Sequence, residues 1–314
     1  MAKIHRCPES LLSSDLKGKT YVVTGGNSGI GLVTVEQLAK QGAHVILACR
    51  NINEGRQRQQ EIQQQGAPGK IEVLELDLAN LESVRAFAKT FLASHDTLNG
   101  LVNNAGVMNT PMRRTRDGFE MQFGTNHLGH FLLTELLLPA LKKGAPSRVV
   151  NLSSCFHDKA MGREGRIDFE DINFEKKKYD GWEAYAQSKL ANLLHAKHLA
   201  RRLEGTGIST ASVHPGWVRS NLIKFSMPLW AQNFALRPIL KLAGMIEPWE
   251  GAQSTLFALL TPDLQNGAFY SQVGIYRTKE ACRGGWPMKS PNPNAHDDKM
   301  AEQLDHTSRK LVGL

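Results

Sequence analysis

No run of about 18 uninterrupted apolar residues occurs in this 314-residue chain, so a membrane-spanning helix is not expected. The opening stretch, Met1 to Lys19, also lacks the apolar core of a signal peptide or anchor. Cysteine is scarce. Cys7, Cys49, Cys155 and Cys282 stand far apart with no CxxC pair, which argues against a disulfide frame or a zinc site and for reduced thiols. Missing too is any concentrated block of one charge. The 38 basic and 30 acidic residues leave a net +8, but only short clusters such as Lys176-Lys177-Lys178 and Arg201-Arg202 interrupt an even scatter. A solvated surface explains that scatter better than a nucleic-acid-binding element, so no nucleic-acid partner is expected. With neither signal nor anchor, the expected location is intracellular and cytoplasmic.

What is present is an alternation. Thr20–Val23 reads as a strand and Ile30–Lys40 as a helix stopped at Gly42. The pattern repeats with strand Ala43–Ala48, helix Asn53–Gln65, strand Ile71–Leu76, helix Leu81–Ala93 and strand Leu98–Val102. A long helix over Phe119–Leu141, a strand at Arg148–Leu152, a helix over Trp182–Leu203 and a strand at Ser209–Val213 continue it. Strands separated by helices of ten or more residues predict an α/β fold: a single doubly wound Rossmann domain over 1–314, with a parallel sheet and helices on both faces. Outside that rhythm lie a polar lead-in (1–17), a charged excursion with little structure of its own (155–181), an apolar and aromatic segment (221–250) and a C-terminal tail (277–314). A helix–strand pair, Gly251–Leu260 and Ala268–Val273, is expected to extend the sheet, and the tail to carry a short helix near Met300–Leu311.

The first strand–helix junction reads Thr24-Gly25-Gly26-Asn27-Ser28-Gly29-Ile30-Gly31. Glycines there permit a tight turn and close approach of a pyrophosphate, while the helix start presents free N–H groups to it. The spacing is TGxxxGxG rather than GxGxxG. At the end of the second strand, where an acid would bind ribose hydroxyls, stands Cys49-Arg50-Asn51 with no acid. Arg50 could instead pair with a 2′-phosphate through two charge-assisted hydrogen bonds, which favours NADP(H); an exposed surface arginine is the alternative. Asp77, with Leu78 beside it, follows the third strand. Its carboxylate suits an adenine amino group, or equally a cap for the helix starting at Leu81.

Tyr185-Ala186-Gln187-Ser188-Lys189 sets a phenol and an ammonium four residues apart on one helical face. A free tyrosine titrates at about 10, and the ammonium together with an oxidised nicotinamide is expected to favour the phenolate and lower that value. Ser153-Ser154 ends the fifth strand and Asn103-Asn104-Ala105-Gly106 the fourth, at the sheet edge where open α/β folds bind ligands. Asn126 lies within an apolar helix, where an unpartnered amide is costly, so it is expected to have a structural or water-holding role.

TGGNSGIG, NNAG, the helical Asn126, NLSS, YAQSK and His214-Pro215-Gly216, in that order, resemble the short-chain dehydrogenase/reductase family over about Gly18–Tyr276. Within it, ACRN, TNHLGHF, SKLANLL and the long interval from Ser154 to Tyr185 resemble the group of retinol dehydrogenases, WW-domain-containing oxidoreductase and protochlorophyllide oxidoreductases. The resemblance implies Tyr185 as general acid/base and Ser154, by the motif's register rather than Ser153, as the hydroxyl orienting the carbonyl. It implies Lys189 on the nicotinamide ribose and Asn126 supporting a relay water. The cofactor would be held by Gly25, Asn27, Ser28, Gly29, Ile30 and Gly31, by Arg50, Asn51, Asp77 and Leu78, and by Asn104, Ala105 and Gly106. Pro215, Gly216, Val218 and Ser220 complete the set, together with Tyr185 and Lys189. The implied activity interconverts a lipophilic aldehyde or ketone with its alcohol, with 221–250 as a substrate lid. Two departures stand out: the hydrophobic anchor of membrane-bound retinol enzymes is missing, and the cysteines do not reproduce the protochlorophyllide reductase pattern. A catalytically vestigial NADP-binding regulator or scaffold is the rival class, and a light-driven reductase a third. Peripheral membrane contact and a homo-oligomer are left open.

The pairs His127/His130 and His195/His198 share helical spacing but no placed carboxylate or cysteine, so surface or satisfied-core roles are preferred to a metal. Cys155 is read as a pocket-lining residue rather than a redox thiol.

Overall fold

The computed structural model describes residues 4–219 and 244–314. Eight strands form one sheet: β1 (Thr20–Thr24), β2 (His44–Cys49), β3 (Lys70–Glu75), β4 (Gly100–Asn103), β5 (Ser147–Leu152), β6 (Ile208–His214), β7 (Phe269–Ser271) and β8 (Gly285–Met288). Their spatial order is β8-β7-β6-β5-β4-β1-β2-β3. Neighbours are parallel except β8, which runs antiparallel to β7. The order reverses direction between β1 and β4, the switch point where such sheets open a crevice at their C-terminal ends.

Alternation along each strand feeds two cores. Val22, Leu101 and Val149 point to one face, where Phe87, Phe91, Phe131 and Leu194 pack. Val23, Val102 and Val150 point to the other, against Val35, Leu38, Leu47 and Leu259. Strands buried on both faces are apolar through their centres, and each fully buried large side chain contributes about 1.5–3 kcal/mol.

The covering helices are α1 (Gly29–Lys40), α2 (Ile52–Gln64), α3 (Leu81–Ser94), α4 (Gly129–Lys143), α5 (Gly181–Arg202) and α6 (Pro248–Leu260). Several begin where a polar side chain takes up an otherwise orphaned N–H. Asn51 accepts from Glu54, Asn80 from Glu82, and Asp180 from Trp182 and Glu183. Each such cap is worth about 1 kcal/mol. The long helix expected from Phe119 is entered instead through a short α turn, Met121–Phe123, and a π turn, Gly124–Leu128.

The segments outside the rhythm carry more structure than their composition suggests. The lead-in forms a helical turn, Glu9–Leu12, and Cys7 and Leu11 pack beside Ala252 and Leu256 of α6. The excursion holds a 3₁₀ turn, Cys155–His157, and a two-residue hairpin pairing Lys159–Ala160 with Arg163–Glu164. The tail supplies β8 and a fifteen-residue helix, α7 (Asp298–Val312), rather than a short one. Its buried Ala301, Leu304, Ser308 and Val312 recur at helical spacing, and Arg309 bonds Glu135 at 2.8 Å. Tail and excursion are clamped together: fully buried Asp158 pairs with Arg277, and Asn292 donates to the carbonyls of His157 (2.7 Å) and Gly165 (2.9 Å). The proposed lid lies largely outside the described residues, as does Ser220. Among the described residues no helix is long and apolar enough to cross a membrane.

Candidate active site

The glycine turn joins β1 to α1. Gly25 holds φ +65°, and a side chain at Gly31 would bring its Cβ to 2.4 Å from the Gly25 carbonyl oxygen and 2.5 Å from Asn104 Nδ2. Only glycine fits Gly31. The N-cap, Ser28, makes no side-chain capping bond, which leaves the first-turn N–H groups of α1 to a ligand. Ile30 packs toward α6, and Asn27 Nδ2 donates to Glu54 at 2.9 Å. Thr24 organises the neighbouring loop: its Oγ1 accepts from the backbone N–H of Asn104 (2.9 Å) and of Ala105 (3.0 Å). Asn104 Nδ2 donates back to the Thr24 carbonyl at 2.7 Å, so this side chain closes the glycine turn.

Arg50 is exposed at the end of β2, and Asn51 beside it caps α2. Asp77 Oδ1 accepts from Ala79 N at 3.0 Å, while the cap of α3 is Asn80; the capping role offered for Asp77 belongs to its neighbour. Leu78 is buried in the core, which leaves only its backbone for any ligand. After β6, Pro215 and Gly216 lead to Val218, which bridges to Ile246; Arg219 N donates to the Ile246 carbonyl at 3.0 Å.

Tyr185 and Lys189 lie on α5, 2% and 3% exposed. Lys189 Nζ sits 5.6 Å from the Tyr185 ring centroid and donates to the Leu152 carbonyl at 3.0 Å. The two serines after β5 divide sharply. Ser153 Oγ donates to the Lys189 carbonyl at 2.8 Å and ties strand to helix, whereas the Ser154 hydroxyl is hydrogen-bonded to Tyr185. Around the phenol stand Met108, Met245, Phe156, Trp182 and Trp217, an apolar wall with the Phe156 ring edge-on to Tyr185 at 6.2 Å.

Burial decides the electrostatics. It raises the Tyr185 phenol well above its usual range, opposed by the Ser154 hydrogen bond. Desolvation by the surrounding protein acts against the lowering that the ammonium and an oxidised nicotinamide are expected to bring. Burial likewise pulls Lys189 down to about 8.

Asn126 lies in the π turn, fully buried. Its Oδ1 accepts from Val107 N (2.8 Å), and Nδ2 donates to the Val107 carbonyl and to Ser188 Oγ, both at 2.9 Å. The amide is thus engaged by protein partners, with one lone pair of Oδ1 left for a water. Sequence reasoning missed His130. Its Nδ1 donates to the Asn126 carbonyl (2.9 Å), so the neutral ring accepts at Nε2 from Thr24 Oγ1 (2.9 Å). Thr24, His130 and Asn126 therefore couple the glycine turn to the π turn. The sequence reading of surface or satisfied-core histidines covers its burial but not these partners. His127 bonds Ser308 Oγ at 2.8 Å, a core role.

A family model described as short chain dehydrogenase matches residues 19–166. Mouse retinol dehydrogenase 11 is 48% identical over 304 residues, covering 95% of this chain and 88% of its own length. The chain belongs to the short-chain dehydrogenase family. Human retinol dehydrogenase 12 is 42% identical over 301 residues, with 95% and 88% covered. An uncharacterised protein from Mycobacterium paratuberculosis shares the fold at TM-score 0.74 and 36% identity, covering 96% of this chain and 95% of its own. Family membership makes the protein an oxidoreductase working with a nicotinamide cofactor.

Proposed function

We propose that this short-chain dehydrogenase interconverts a lipophilic aldehyde or ketone and its alcohol with NADP(H), using Tyr185 as general acid/base. The observation that carries the reading is the meeting of Ser154, Tyr185 and Lys189 inside an apolar wall at the C-terminal sheet edge. The glycine turn fits a nicotinamide nucleotide, since Gly31 lets α1 close against the Gly25 carbonyl and Asn104 and the first turn of α1 has no side-chain cap. Gly25, Asn27, Ser28, Gly29, Ile30 and Gly31 would hold its pyrophosphate, Arg50 its 2′-phosphate, and Asp77 its adenine. Lys189 Nζ, with one of three donors used on Leu152, has two left for a ribose. When bound, the nicotinamide supplies or takes up the hydride.

The chain's own residues handle the proton. In reduction, the Tyr185 Oη–H donates to the carbonyl oxygen while the Ser154 Oγ–H hydrogen-bonds the same oxygen and stabilises charge growing there. A phenol raised by burial is protonated at neutral pH, the state an acid needs. The phenolate left behind is met by the Lys189 ammonium and by Ser154. Asn126 acts as a positioning residue that fixes Val107 and Ser188 around this group.

Mouse retinol dehydrogenase 11 and human retinol dehydrogenase 12 put retinal and retinol first among substrates to try, and the wall of Met108, Phe156, Trp182, Trp217 and Met245 suits a long apolar molecule. The test is titration of the purified chain with NADPH and NADH, followed by fluorescence of the reduced nicotinamide, then turnover on retinal and on aliphatic aldehydes. Preference for NADPH that is lost in Arg50→Asp, with turnover lost in Tyr185→Phe, is the expected result. Absence of binding of either cofactor at micromolar concentration would overturn the reading, and binding with turnover unchanged in Tyr185→Phe would overturn the assignment of the base.

A further inference from the structure

At the opposite, N-terminal edge of the sheet, three side chains converge that the dehydrogenase chemistry does not use. His44 opens β2, Glu72 lies within β3, and His95 ends α3 as its C-cap residue. His44 Nε2 lies 3.4 Å and His95 Nε2 3.5 Å from the same carboxylate atom, Glu72 Oε2. One donor atom from each of the three lies within 4.8 Å of the other two. Among the described residues this is the only such group.

The hydrogen bonding leaves this cluster incomplete. His95 Nδ1 faces the Phe91 carbonyl at 3.2 Å, and a carbonyl can only accept, so the proton of the neutral ring sits on Nδ1. Its Nε2 lone pair then points at a carboxylate oxygen, an arrangement that needs a cation or a proton between the two. His44 Nε2 is buried and has no hydrogen-bond partner. The His95 ring is held in place by stacking on Phe91, centroids 4.8 Å apart and planes 13° from parallel. A backbone carbonyl fixing the tautomer of an imidazole is the usual support of a metal ligand.

The two distances to Glu72 Oε2 fit an ion. With metal–ligand bonds of about 2.0–2.2 Å, a tetrahedral site puts its donor atoms roughly 3.4 Å apart. Two imidazoles and a carboxylate form a borderline nitrogen and oxygen set, suited to Zn²⁺ and its neighbours rather than to Ca²⁺ or Mg²⁺. Lys70 Nζ, 4.0 Å from Glu72 Oε2, is the competing cation; its side chain is 69% exposed and free to turn into solvent.

We propose that His44, Glu72 and His95 form a zinc-class divalent metal site that ties the starts of β2 and β3 to the end of α3, with a fourth position open to water. The test takes the full chain stripped with chelator and measures Zn²⁺ binding by competition with a chromophoric chelator, in parallel with the Co²⁺ absorption spectrum. One equivalent of metal, with a Co²⁺ spectrum free of thiolate charge-transfer bands, is expected. His44→Gln and His95→Gln should each weaken that equivalent at least a hundredfold, and Zn²⁺ should raise the melting temperature of the parent chain but not of the variants. Circular dichroism checks that the variants fold, and Glu72→Gln provides a third variant should one fail. Unchanged stoichiometry in the folded variants, or thiolate bands showing cysteine ligation, would overturn the site.

Discussion

The two ends of the same sheet treat polar side chains in opposite ways. At the C-terminal end, Tyr185, Lys189 and Asn126 are buried, and each is tied to backbone or side chains that leave its position little freedom. At the N-terminal end, His44, Glu72 and His95 are half-buried and meet at distances too long for good hydrogen bonds. Burial at the first end shifts proton affinities strongly, raising Tyr185 and drawing Lys189 down to about 8. At the second end, desolvation and the Lys70 and His95 charges lower His44 against the pull of Glu72. A site that moves a proton needs groups held rigidly in a dry pocket. A site that takes an ion from solution needs unpaired donors near solvent.

The largest effect expected is at the dry end. Tyr185→Phe removes the proton donor while keeping the ring against Phe156, so kcat should fall by about 10²–10⁴ with cofactor binding retained. Turnover at the parent rate would remove the distinction drawn between the two ends. Next in size is a pH effect that spans the core. Burial lowers His127 and His214 to about 3 and His130 and His157 to about 4, so these rings stay neutral in the folded chain. Unfolded, they take up protons near pH 6.5, so the unfolded state binds more protons between about 6.5 and 4 and stability falls as pH falls through that window. Each ring contributes on the order of 1.4 kcal/mol per pH unit there. Urea unfolding at pH 7 and pH 5.5 should therefore differ by several kcal/mol; equal stabilities would mean that these rings are not held neutral. A smaller effect belongs to Arg50, exposed at the rim. Arg50→Asp should weaken NADPH by about ten- to a hundredfold, the worth of charged hydrogen bonds, and leave NADH nearly unchanged in the same fluorescence titration.

The contrast also explains what could be read in advance. The dry end is built from contiguous motifs: the glycine turn, the two serines and YxxxK each place several residues by local geometry alone, and the parallel sheet brings them to one edge. The mostly parallel sheet followed from the alternation of strands and helices for the same reason. Desolvation did not, because it depends on everything packed around Tyr185. Ser153 and Ser154 are neighbours in sequence, and only the packing of α5 on β5 separates their roles. Asn51 and Asn104, expected at the cofactor, are tied to α2 and to Thr24 by bonds no spacing announces. The tail was expected to carry only a short helix, because its Gly/Pro-rich start hides β8 and α7 owes its docking to partners as distant as Glu135. The wet end was invisible: His44, Glu72 and His95 share no motif, and only the register of β2 on β3 and the end of α3 bring them together.

The smallest expected effect is the sharpest test of the comparison. If the two ends are independent, His44→Gln should alter kcat and KM with NADPH by less than about twofold, because a substitution distant from the site and sharing no partners with it adds without coupling. The same variant should lose its zinc equivalent and the melting shift that goes with it. β2 joins the ends physically, since it starts at His44 and stops beside Arg50. A metal that stiffened β2 would show first in the loop after Cys49, hence in NADPH affinity. Measuring the NADPH Kd of the parent chain with and without Zn²⁺ therefore separates the cases. An unchanged Kd leaves the metal as a local staple, whereas a Kd that tightens with Zn²⁺ in the parent and not in His44→Gln would make the two ends one coupled system carried by a single strand.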